Sequence, residues 1–141
     1  NQYGGATTES AYMASENLLA PLRTADGGLT IDGIFCPNES TAFAMLRALQ
    51  DGGLAGKVKY VGFDSSDRLV KGLRDGEIQG LVLQDPINMG YLGVKTIMEH
   101  LQGRTVERRI DTGSAVATPE NMDDPKMKNL LEPDYKKWLN E

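Results

Sequence analysis

The chain has one cysteine and one histidine in 141 residues, and each scarcity closes off a class of function. Cys36 alone cannot form an intramolecular disulfide, and inside an apolar run it reads as a small buried hydrophobe. With His100 unaccompanied, neither a zinc site nor a cysteine–histidine pair has the material it needs, and no cofactor is implied. No run of Lys and Arg offsets the formal net charge of -5, which argues against nucleic acid or an anionic membrane surface as partner. An apolar run long enough to span a bilayer is absent, as is a charged-then-apolar leader. The glycine pairs at Gly4-Gly5, Gly27-Gly28 and Gly52-Gly53 fit neither the dinucleotide fingerprint nor the phosphate-binding loop, and read as turns.

What is present is a repeated layout. Three β-rich runs, GLTIDGIFCPN, KVKYVGFD and GEIQGLVLQ, end at Asn38, Asp64 and Gln84, and each hands over to a helical pattern. Alternation of strand and helix points to right-handed βαβ units, so the expected fold class is α/β, a parallel sheet flanked by helices. Strands are expected at Leu29–Cys36, Val58–Phe63 and Ile78–Leu83, the first as a central strand covered on both faces, with short further strands at Arg108–Ile110 and Ala115–Ala117. Helical spacing places one helix over about Thr8–Leu19, capped by Thr7 or Thr8. A second follows Asn38 with Ala42, Met45, Leu46 and Leu49 on one face, and a third is capped by Ser66. Asp85-Pro86 opens a fourth, with Ile87, Tyr91, Val94, Met98 and Leu101 in a stripe that Gly103 ends. The tail starts with a second cap-and-proline pair, Thr118-Pro119, and ends in PDYKKWL, whose Trp138 and Leu139 can dock on the body.

In an open parallel α/β sheet, ligands sit beyond the carboxyl ends of the strands, so Asn38, Asp64 and Gln84 are placed to converge on one small polar molecule. Their types suit a sugar, because amides donate and accept while a carboxylate accepts strongly from hydroxyls. Any one of them could merely cap the following helix. A phosphoacceptor reading of Asp64 lacks the acidic pair and lysine it needs, and no nucleophile, base and oxyanion set can be assembled, so an enzyme is not expected.

The series NQYGGATTESAYMASENLL, GIFCPNESTAFAMLRAL, VGFDSSDRLVKGLRDGEIQGLVLQDPINMGYLGVKTIMEHLQG and ATPENMDDP resembles the C-terminal half of type I periplasmic sugar-binding proteins, the ribose-binding class of ABC importers. The resemblance covers nearly the whole chain. It implies that Asn38, Asp64 and Gln84 hydrogen-bond sugar hydroxyls, with Phe63 as a neighbouring wall, and that Gln84 lies at a hinge crossing. Where ribose binders place a stacking aromatic this chain has Ala6, for which Tyr3 could compensate.

The same resemblance implies two lobes and about twice this length. Residues 1–84 and 114–141 then belong to the C-terminal lobe and 85–113 to the other, most of which is absent here; the chain also begins at Asn1 rather than Met. The expected partners are a sugar, the membrane permease of an importer, and either the missing lobe or a second copy of the fragment. The expected location is periplasmic or extracytoplasmic, with a lipid anchor in a Gram-positive organism. The alternative is the effector-binding domain of a lactose-repressor-like regulator, from which a signal peptide or a helix-turn-helix ahead of Asn1 would discriminate.

Overall fold

The computed structural model describes residues 3–5 and 7–135, so Ala6, Trp138 and Leu139 lie outside the described residues. Helix α1 (Thr8–Leu19) starts where Thr7 Oγ1 accepts from the Ser10 N–H at 3.1 Å, and a 3-10 turn at Ala20–Leu22 ends it. Then follow β1 (Gly33–Phe35), α2 (Glu39–Asp51), β2 (Lys59–Phe63), α3 (Asp67–Arg74), β3 (Gly80–Leu83), α4 (Pro86–Leu101), β4 (Ala115–Ala117) and α5 (Pro125–Leu131). The four strands form one sheet in the order β1-β2-β3-β4. The first three are parallel, and β4 returns antiparallel to β3 with Ala115 opposite Leu83.

One sheet face carries the core. Strand register puts Ile34, Tyr60, Gly62, Leu81, Leu83 and Ala117 on the same side, against Ala42, Met45, Leu46 and Leu49 of α2 and Leu69, Val70 and Leu73 of α3. Gly62 marks the closest approach: a Cβ there would lie 3.2 Å from Ala42 Cβ and 3.0 Å from a Leu81 methyl. Tyr60 is wholly buried, and its hydroxyl donates to the Ala42 carbonyl at 2.7 Å. Burial, with the neighbouring Cys36 thiol, pushes the Tyr60 phenol far above the ordinary tyrosine value. Tyr60→Phe should therefore cost about 1 kcal/mol in chemical denaturation, the net worth of one buried hydrogen bond. Because the unfolded chain ionises first, stability falls as pH rises past about 10, and the variant should lose part of that slope.

The other face is sparsely covered. Phe35, Val61, Phe63, Val82 and Val116 share it, and Phe35 and Val116 are 57 % and 50 % exposed. Helix α4 projects from the body: Asp85 Oδ1 caps the Asn88 N–H at 2.9 Å, Pro86 takes the first turn, and no residue of the helix is buried. Its stripe of Ile87, Tyr91, Val94, Met98 and Leu101 is exposed, up to 73 % at Leu101.

Several expectations are corrected. The segment Leu29–Cys36 is a strand only at Gly33–Phe35, and β1 is an edge of the sheet rather than its centre, because the described chain offers no strand for its outer side. Leu29 instead makes an isolated antiparallel bridge with Arg23. Arg108–Ile110 is not a strand, since no described strand lies alongside to pair with it. Thr118-Pro119 starts a turn, held by Asn121 Oδ1 accepting from the Thr118 N–H at 2.8 Å, and the helix begins later at Pro125. Ser66 stands at the α3 cap position, yet its hydroxyl makes no cap bond; the Oγ atom is buried without a partner among the described residues. Among those residues no helix is long and apolar enough to cross a membrane.

Candidate functional site

Because β1, β2 and β3 are parallel, their carboxyl ends share one edge of the sheet, and Asn38, Asp64 and Gln84 all follow those ends. The antiparallel β4 starts at that edge too, which sets Gly113-Ser114 beside Gln84-Asp85, and these four residues line one cavity.

Asp64 and Gln84 are brought together. Asp64 takes φ +61, the one left-handed non-glycine residue described, and its N–H donates to the Val82 carbonyl at 2.7 Å. A left-handed L-residue costs roughly 1–2 kcal/mol, least for Asp and Asn, and such strain collects at functional sites. The bend leaves Asp64 Oδ1 accepting from Gln84 Nε2 at 2.9 Å across the ends of β2 and β3. Both residues are half-buried and line a cavity of about 570 Å³ together with Ser65, Ser66, Met89 and Tyr135. That is within the size range of small-molecule sites.

Asn38 stands apart from that cavity. It is the N-cap of α2, and its Oδ1 accepts from the Thr41 N–H at 3.0 Å, Thr41 Oγ1 at 2.9 Å and Ser40 Oγ at 3.1 Å. It lines a neighbouring depression of about 520 Å³ with Tyr3, Phe35 and Thr41. Tyr3 is 99 % exposed, so its ring packs against nothing described. Phe63 is half-buried at the end of β2 and is not among the residues lining either hollow. Beneath the edge, burial raises the Cys36 thiol above its ordinary pKa, an effect that the neighbouring Tyr60 and Thr41 hydroxyls partly offset.

Sequence reasoning missed the C-terminal contribution. Leu130 and Pro133 line the cavities on both sides of Gln84, and Ser65 Oγ donates to the Leu130 carbonyl at 3.5 Å. The amphipathic tail was the available signal, but its spacing does not say which strand end Pro133 lies beside.

Comparison with known proteins places the chain in a family. A family model described as a periplasmic binding protein domain matches residues 1–105. The ribose import binding protein of Haemophilus influenzae is 36 % identical over 96 residues, 68 % of this chain and 30 % of that protein. An Agrobacterium vitis ABC transporter solute-binding protein, solved with bound D-fucose, superposes with a TM-score of 0.82 at 36 % identity, over 92 % of this chain and 42 % of that one. A carbohydrate transporter solute-binding protein from Agrobacterium radiobacter, in complex with D-arabinose, gives 0.81 at 35 % identity over 92 % and 42 %. The chain thus spans less than half the length of each of these relatives.

Proposed function

The chain belongs to the periplasmic binding protein domain family, and from that premise we propose that it forms part of a monosaccharide-binding protein serving an ABC-type importer outside the cytoplasm. The observation that carries the reading is the strained Asp64, tied to Gln84 at the edge where three parallel strands end. A rigid pair of acceptors at that edge suits hydroxyl donors, and the solved relatives named above hold D-fucose and D-arabinose. Asn38 joins them in this reading from the neighbouring strand end, with Phe63 as a neighbouring wall and Tyr3 compensating for the aromatic that the sequence replaces with Ala6.

The lobe division follows the same logic. Residues 1–84 and 114–141 make the C-terminal lobe and 85–113 belong to the second lobe, with crossings at Gln84-Asp85 and Gly113-Ser114. Adjacent crossings between Leu83 and Ala115, and a helix α4 with no buried residue, support it. Parallel sheets are normally covered on both faces, so the bare face bearing Phe35 and Val116 calls for a further βα element or a second copy of the fragment. The two lobes close on the sugar by hinge motion and present the closed form to the permease.

A thermal-shift assay of the two-lobed protein with D-ribose, D-fucose and D-arabinose tests the function. A ligand at a hundred times its Kd should add about 2.7 kcal/mol of stability and raise Tm accordingly. No shift with any of the three sugars would count against a monosaccharide site.

A further inference from the structure

We propose that Thr41 is a positioning residue for the sugar, fixing the amide of Asn38 so that this lobe offers one donor beside two acceptors. The inference rests on the sugar reading above and deepens it. Three donors meet on Asn38 Oδ1, the Thr41 N–H, the Thr41 hydroxyl and the Ser40 hydroxyl, and a carbonyl oxygen has two lone pairs. The oxygen is saturated, and the backbone N–H among its partners settles which end of the amide is oxygen. The NH2 end, unpartnered among the described residues, is what remains for a ligand.

The neighbouring pair has the opposite polarity. Gln84 spends its Nε2 on Asp64 Oδ1, so Gln84 Oε1 and Asp64 Oδ2 are left as acceptors. Under the sugar reading above, a ligand bridging the two hollows would donate two hydroxyl protons towards Asp64 and Gln84 while offering a lone pair to Asn38. A neutral polyol does this, because each hydroxyl both donates and accepts. A carboxylate or phosphate in its place would set like charge against Asp64.

Without the Thr41 hydroxyl the Ser40 and backbone bonds still reach Asn38 Oδ1, but the amide loses its shortest anchor, at 2.9 Å. Thr41 Oγ1 also lies 3.1 Å from the Asn38 carbonyl and neighbours the Cys36 thiol, so a test must separate action through Asn38 from local packing. A double-mutant cycle does so. Calorimetry on the two-lobed protein, with whichever of the three sugars above shifts Tm most, should show Thr41→Val binding about twofold to twelvefold more weakly, the effect of one neutral hydrogen bond. Thr41→Ser, which keeps the hydroxyl, should restore wild-type affinity. In an Asn38→Ala background, Thr41→Val should weaken binding no further. Wild-type affinity in Thr41→Val, failure of serine to rescue, or additive losses in the cycle would each overturn the role of Thr41. Asp64→Ala separates the two levels: if it too binds normally, or no sugar binds the wild type, the sugar reading itself fails and this inference with it.

Discussion

Asp64→Ala in the two-lobed protein should weaken sugar binding by about tenfold to more than a hundredfold, because a hydrogen bond to a charged acceptor is worth roughly 1.5–3 kcal/mol. The expected loss is large for a second reason: Asp64 also holds Gln84 through the 2.9 Å bond from Nε2, so removing the carboxylate frees a second ligand group. Alanine is a compromised probe at this position, since it tolerates φ +61 less well than aspartate. Asp64→Gly avoids that. Glycine adopts the left-handed region without penalty, so Asp64→Gly should lose binding to the same degree while keeping or raising the melting temperature. Calorimetric affinities paired with thermal melts check this. A glycine variant that binds normally would remove Asp64 from the site, and one that binds poorly only because it unfolds would reduce the residue to a structural role.

The second large effect contrasts two leucines. Leu81→Ala should destabilise this chain by about 2–5 kcal/mol, because the side chain is wholly buried in β3, against Gly62, and its loss opens a cavity in the core. Leu101→Ala, 73 % exposed on α4, should cost less than about 0.5 kcal/mol in the same chain. Under the lobe division proposed above, the leucine at 101 should become costly to remove in the longer protein, where the apolar stripe of α4 would pack in a second lobe. Urea unfolding followed by circular dichroism on both lengths would show it. Equal and small effects of Leu101→Ala in the two would mean that the segment 85–113 does not enter a second core.

Local signals in the sequence carried the helices well. The Asp85-Pro86 start and the Gly103 stop of α4 are satisfied within a few residues, by Asp85 Oδ1 on the Asn88 N–H and by a left-handed glycine, and so are visible without knowing the rest of the fold. The strand ends were legible for the same reason, since a β-rich run closing on a polar residue is a local pattern. Pairing is not local. Whether Leu29–Cys36 forms a central strand depends on a neighbour for its outer edge, and among the described residues only Gly33–Phe35 is held, by β2 alone.

The sequence by itself determined the α/β class, the bounds of α1 and α4, the Asp85 cap of α4, and the three polar residues after the parallel strands, because those depend on spacing and short-range hydrogen bonds. The tertiary structure alone decided which of the three meet: β2 and β3 are neighbours, so Asp64 and Gln84 bond, whereas Asn38 is drawn to its own helix by Ser40 and Thr41. It also decided that β4 runs antiparallel and that α4 buries nothing, since strand direction and burial are set by what lies alongside a segment and not by the residues within it.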